Sequence, residues 1–157
     1  MITDRAREFA GALPDGGVLI GLDPGTRTIG VATCDAGWRF ATAGKSLPRG
    51  KFAALHEALA ALAAQRRAAG LVIGLPRNMD GSEGPRAQGA RALARNLEVG
   101  LGLPVLLWDE RLSTVDAERA MIAQGTSRAR RAERIDAHAA AVILQGAIDA
   151  LAAPGLD

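Results

Sequence analysis

Val18 to Thr33 reads V-L-I-G-L-D-P-G-T-R-T-I-G-V-A-T. An apolar run, Val18 to Leu22, has the character of a buried strand, and Pro24-Gly25 punctuates it. Ile29 to Thr33 reads as the returning strand of a hairpin. Asp23 therefore sits at the end of a strand built for the core. Gly25 and Gly30 leave room for another backbone, or a phosphate, to approach that carboxylate. Aspartate also favours turns, where it bonds its own backbone, so a turn-forming role for Asp23 stays open at this point.

Working outward from the hairpin, Met1 to Ala12 has helical character, with Ile2, Phe9 and Leu13 spaced for one face. Pro14-Asp15-Gly16-Gly17 ends it, so residues 1–17 read as an N-terminal extension to a single domain spanning 1–157. Asp35-Ala36-Gly37 turns the chain into a third strand, Trp38 to Leu47. Phe52 to Ala69 reads as a helix with Phe52, Leu55, Leu59 and Leu62 on one side, and Gly70 stands where a helix commonly stops. His56 inside it has no second ligand at metal-binding spacing and reads as a surface or satisfied histidine.

Leu71 to Leu75 has the apolar continuity of a central parallel strand, followed by a turn-rich loop, Pro76 to Pro85. Arg86 to Val99 is the next helix and Leu103 to Trp108 another buried strand, after which come Asp109, Glu110 and Arg111. Ser113 or Thr114 is placed to cap a helix running to Gln124. Gly125 to Arg134 reads as a loop, and Ile135 to Leu151 as the last helix, with Asp136 in its first turn. Three meandering strands followed by alternating helices and strands predict an α/β fold. Its mixed sheet is antiparallel at first, then parallel, and flanked by helices.

Composition narrows the function classes. The 157 residues carry a formal net charge of only +2, so no overall basic field is present. The cations are nearly all arginine, with lysine only at 45 and 51. Cys34 is the sole cysteine, which excludes an internal disulfide framework and a cysteine-based zinc site. Charges from Asp4 to Glu8 are wrong for a signal peptide, and the apolar stretch 137–153 is broken by Gln145 and Asp149. The expectation is a cytoplasmic protein with no membrane association.

Three carboxylates fall where such a sheet gathers a site. Asp23 ends the first strand, Glu110 lies just past the last, and Asp136 opens a helix able to pack across that end. Clustered there, they call for a hard divalent cation, and Mg²⁺ fits a few carboxylates plus waters and substrate phosphate. Two such ions about 4 Å apart can drive phosphodiester hydrolysis. Each acid also has a structural reading. Asp136 can complement a helix dipole and Glu110 can pair with Arg111 or Arg119, while Asp109 and Asp80 also end strands, so spacing alone does not choose the trio.

Several stretches taken together are similar to the YqgF family, also called RuvX, nucleases of pre-16S ribosomal RNA related to the Holliday junction resolvase RuvC. They are G-L-D-P-G-T-R-T-I-G-V-A at 21–32, G-L-P-R-N-M-D-G-S-E-G-P-R-A at 74–87, D-E-R-L-S-T at 109–114, A-E-R at 117–119 and R-I-D-A-H-A-A-A-V-I-L-Q at 134–145. The likeness runs from about 18 to 151. It implies a ribonuclease H-like fold, the catalytic and metal-binding trio Asp23, Glu110 and Asp136, and Mg²⁺ or Mn²⁺. Ala139 stands where related resolvases carry a further acid.

Other motif residues have physical jobs to offer. Asn78 and Ser82 can serve a sugar-phosphate backbone or simply form the turn. Arg128, Arg130, Arg131 and Arg134 precede Asp136 and are placed to hold phosphates, and Arg27 and Arg111 can clamp phosphate or the acids. Aromatic residues are scarce, so recognition should rest on backbone and shape. The expected activity is metal-dependent hydrolysis of structured RNA, at the 5′ end of pre-16S rRNA. The alternatives are a resolvase of branched DNA, which needs a stable dimer, an actin-like ATP-binding domain, and a nucleic-acid-binding module without chemistry. Oligomeric state, monomer or weak dimer, is left open.

Overall fold

The computed structural model describes residues 1–112 and 128–153, with side chains for 1–111 and 138–153. In chain order the elements are β1 (Ile2–Thr3), α1 (Ala6–Ala12), β2 (Val18–Pro24), β3 (Thr28–Cys34), β4 (Ala41–Ala43), β5 (Leu47–Pro48), α2 (Phe52–Arg66), β6 (Ala68–Leu75), α3 (Pro85–Leu101), β7 (Val105–Asp109), a 3₁₀ turn (Glu110–Leu112) and α4 (Arg128–Ala152).

The sheet runs β1-β7-β6-β2-β3-β4, with β5 also on β3. β2, β3 and β4 pair antiparallel, whereas β2, β6, β7 and β1 are parallel. This is the mixed sheet expected from the hydrophobic pattern. Strand alternation gives it two apolar faces. Ile20, Leu22, Leu71, Ile73 and Leu75 point toward Leu55 and Leu59 of α2 and Leu93, Ala94 and Leu97 of α3. Leu19, Val72 and Leu106 point the other way, onto Ala140, Ile143, Leu144 and Ile148 of α4 and onto Phe9.

α4 comes unusually close to the sheet at two places. A Cβ on Gly21 of β2 would stand 2.7 Å from Leu144 Cβ and 3.2 Å from the Ala140 carbonyl oxygen. A Cβ on Gly146 of α4 would stand 3.1 Å from the Trp108 ring. Small residues at both contacts let backbone meet backbone on one side and an indole lie flat on the other.

Several expected boundaries move. The first residues are not helical throughout. Ile2–Thr3 add a parallel strand to β7, where the Val105 N–H donates to the Met1 carbonyl, and the helix begins only at Ala6. Backbone groups left unpaired on the β7 edge outweigh the modest helix preference of two residues. The expected strand Trp38–Leu47 is broken. Asp35 accepts from the N–H groups of Gly37, Arg39 and Phe40, Trp38 adopts φ 57°, and only Ala41–Ala43 and Leu47–Pro48 pair with β3. α2 stops at Arg66, capped by Arg67 in the left-handed region, so Gly70 is a strand residue. Gly70 is small because the Phe9 ring lies against it. The segment expected to be a loop up to Arg134 is helical from Arg128, since R-A-R-R-A-E-R contains good helix formers and no breaker. The helix expected between Ser113 or Thr114 and Gln124 lies outside the described residues.

His56 is satisfied, its Nε2 lying 3.0 Å from the Gly100 carbonyl oxygen. Cys34 is a buried core residue whose sulfur accepts from the Leu19 N–H. Among the described residues, no helix is long and apolar enough to cross a membrane.

Candidate active site

The parallel strands β2, β6 and β7 all end on the same edge of the sheet, and the loops leaving that edge carry the acids. Asp23 is the penultimate residue of β2 and is held in register opposite Gly30 of β3. By alternation its side chain leaves the sheet on the face of Leu19 and Gly21, the face that α4 covers. Glu110 begins the 3₁₀ turn immediately after β7. Its side chain folds back over β6 and rests on Gly74, where any Cβ would collide with Glu110 Oε1 and would stand 2.7 Å from Ile143 Cδ1. In β6, Gly74 follows the residue paired with Leu22, so Glu110 crosses it to reach Asp23.

The two carboxyl groups hydrogen-bond to each other. Burial, then the hydrogen bond to Asp23 and the charge of Asp23, push Glu110 up to about 8, while Arg86 acts in the opposite direction. Two carboxyls in one partly dry place cannot both ionise without a cation between them. The pair is therefore held ready for positive charge.

Neighbouring Asp109 has a different occupation. Arg111 grips it through Nε (3.0 Å) and Nη2 (2.6 Å), and Arg77 Nη1 lies 3.7 Å away. The Arg111 hydrogen bonds hold the Asp109 carboxyl below the usual range. Arg77 also reaches Asp4 and Glu83, and Glu83 is bound by both ends of the Arg91 fork. Of two consecutive acids, one is tied into an ion-paired strut and the other faces Asp23. Spacing along the sequence left that choice open, and the resemblance named Glu110.

Asn78 and Ser82 form the turn of the loop after β6. Asn78 Nδ2 donates to Ser82 Oγ (3.0 Å), Ser82 Oγ donates to Asp80 (2.6 Å), and the Asn78 N–H donates to the Ser82 carbonyl. Arg27 is exposed on the β2–β3 turn. The side chains of Asp136, Arg128, Arg130, Arg131 and Arg134 lie outside the described residues, and among those described no cluster of three or more potential metal ligands occurs.

Gly74 and Arg86 belong to this place and were not singled out from the sequence. A glycine inside an otherwise apolar strand is the signal that something must lie close above it. Arg86 opens α3 just after Pro85, where nothing in one-dimensional spacing distinguishes it from the denser arginine run at 128–134.

A family model described as "RuvX: Holliday junction resolvase" matches residues 17–150. The chain belongs to the RuvX family. A RuvX relative from Novosphingobium aromaticivorans, named a pre-16S rRNA nuclease, is 68% identical over 152 residues, covering 97% of each chain. One of the same name from Sphingopyxis alaskensis is 64% identical, covering 96% of this chain and 99% of its own. Among solved structures, Thermus thermophilus RuvC bound to a Holliday junction substrate superposes with a TM-score of 0.55 at 16% identity, over 85% of this chain and 94% of that one. At that identity the likeness concerns the fold, and it agrees with the ribonuclease H-like sheet described above.

Proposed function

We propose that this RuvX chain is a metal-dependent endonuclease that hydrolyses phosphodiester bonds of structured RNA, with the 5′ side of pre-16S rRNA as its substrate. The observation that carries the reading is the Asp23–Glu110 carboxyl pair at the carboxyl edge of the sheet, with Glu110 pushed up to about 8 by burial and by its neighbour. An all-oxygen set of this kind fits a hard divalent cation, Mg²⁺ or Mn²⁺. Bound there, the cation supplies charge that makes an attacking water more acidic and offsets the charge growing on the phosphodiester. Asp23 and Glu110 would hold it, and the bare backbone at Gly74 gives Glu110 its room.

Asp136 completes the set in this proposal. Position 136 lies one helical turn before Ala140. α4 runs against the direction of β2, because Ala140 and Leu144 lie on Gly21 while the next residue, Gln145, accepts from the Ala41 N–H beside Cys34, at the level where β2 begins. Four residues of helix rise about 6 Å, and two residues of strand about 6.6 Å. With Ala140 seated on Gly21, the similar rises support assigning Asp136 to the same site as Asp23. Arg128, Arg130, Arg131 and Arg134, from about two turns to about half a turn earlier, together with Arg27, are assigned to substrate phosphates. Asn78 and Ser82 act at most through the outer surface of their loop, and Arg111 chiefly positions Asp109. A ribosomal precursor as substrate places the protein in the cytoplasm.

The test is cleavage of an RNA spanning the 5′ side of 16S rRNA by wild type and Asp23→Asn, in Mg²⁺ and in Mn²⁺, with a four-way DNA junction as the parallel substrate. RNA cleavage that disappears in Asp23→Asn supports the reading. Cleavage of the junction alone, by a stable dimer in sedimentation, moves the assignment to the resolvase alternative. Activity surviving in the mutant sinks the site.

A further inference from the structure

The arginines around the active-site edge divide into two sets. Arg77, Arg91 and Arg111 are matched to Asp4, Glu83 and Asp109. Arg49 and Arg86 form no ion pair among the described residues, and both line a hollow of about 290 Å³ beside Gly25, Thr26 and Gly89. That hollow starts at the turn that follows Asp23, and its Arg86 is the cation whose charge acts on Glu110. Arg49 is fixed by donating to the Gly25 carbonyl (2.6 Å), which leaves the rest of its fork toward the hollow and Gly89. A second hollow of about 240 Å³ shares Arg49 and Gly89 with the first and continues between α2 and α3 to Phe52 and Asn96. Phe52, at the start of α2, is 39% exposed, so part of its ring is open to a ligand.

We propose that these joined hollows form a track for a single-stranded segment of the nucleic acid flanking the cleaved bond, a reading that rests on the nuclease assignment. Arg86 and Arg49 take a backbone phosphate next to the scissile one, as guanidinium forks suit phosphate oxygens. One base then lies against the Phe52 ring, with the Asn96 amide beside it. A paired base cannot present its face in this way, so the track selects an unpaired extension over continuous duplex. The small residues Gly25 and Gly89 let the backbone descend between the two arginines.

The experiment measures anisotropy of a fluorescent RNA hairpin in EDTA, where no cleavage occurs. The hairpin is either blunt or carries a three-nucleotide single-stranded extension at its 5′ or 3′ end. Wild type should bind one extended form more tightly than the blunt one. Phe52→Ala should cost that form about tenfold and leave blunt binding within about twofold, and Arg86→Gln should cost the extended form about tenfold more than it costs the blunt one. Arg86→Gln should also lower the slope of log Kd against log salt by about 0.7. Gly89→Glu places a carboxylate beside Arg49 at a helical position with ordinary van der Waals room, 3.6 Å from Nη2, and should mimic Arg86→Gln. Arg95→Gln, exposed on α3 and lining neither hollow, is the control expected to behave as wild type. If Phe52→Ala lowers the melting temperature, the two surface variants carry the test. Equal losses on blunt and extended RNA, or no loss in Arg86→Gln and Gly89→Glu, overturn the track. A chain that cleaves in an Asp23-dependent way without extension-dependent binding keeps its nuclease assignment and loses the track. Extension-dependent binding without cleavage does the reverse.

Discussion

Replacing Glu110 by glutamine should make the metal-free protein more stable while removing its activity. Glu110 is pushed up to about 8 in the folded chain, against an ordinary value of 4.5. Below pH 4.5 the group is protonated both folded and unfolded and has no effect on the balance. Between 4.5 and about 8 the unfolded chain releases the proton and the folded chain keeps it, so stability falls by about 1.4 kcal/mol per pH unit. At pH 7 the deficit is on the order of 3 kcal/mol. Glutamine keeps a hydrogen bond to Asp23 without the charge, so Glu110→Gln should melt roughly 6–12 °C above wild type at pH 7 in EDTA. The gap should close toward pH 4.5. Mg²⁺ should raise the melting temperature of wild type and leave Glu110→Gln nearly unmoved, because a divalent ion takes the place of the shared proton. The assay is calorimetry or circular-dichroism melting from pH 4.5 to 8.5, with and without Mg²⁺. A gap that stays constant with pH, or a mutant less stable than wild type at pH 7, would refute the argument that the carboxyl pair is held against its own charge.

Other outcomes follow from the same geometry. Gly74→Ala puts a methyl group where the Glu110 carboxyl and Ile143 already lie, so cleavage should drop by at least about tenfold with a stability loss of roughly 1–3 kcal/mol. Cleavage kinetics beside a thermal melt will separate the two. Asp109→Asn loosens Arg111 and Arg77 but leaves the Asp23 partner in place, so cleavage should change by less than about tenfold, against near-complete loss in Glu110→Gln. Gly21→Ala drives Leu144 off β2 and should lower the melting temperature by roughly 3–10 °C.

The sheet was legible because its central strands are runs such as L-V-I-G-L, too apolar and too short to be anything else. Its margins were not. Ile2–Thr3 carry no strand signal and pair with β7 because that edge needs covering, and Asp35 takes the chain out of an extended path with three hydrogen bonds invisible in a pattern of apolar positions. Asp23 was readable as a charged residue ending a core strand. Strand-end spacing did not separate Glu110 from Asp109; the resemblance named Glu110, and the physical difference between them lies in where Arg111 and Arg77 sit in space. Gly74 shows the remaining gap. Its importance comes from a side chain thirty-six positions later in the chain folding back across it.

The paired glycine seats, Gly21 under α4 and Gly146 on it, key the helix to the sheet the way two notches key a shaft. A slip by one residue would bring a side chain down on backbone at the first notch and on the indole at the second, so the helix has one admissible axial position. The end of α4 that leads toward the acids is thus located by contacts well along its length. Changes at Gly146 should retune catalysis from a distance without touching any group that meets the substrate.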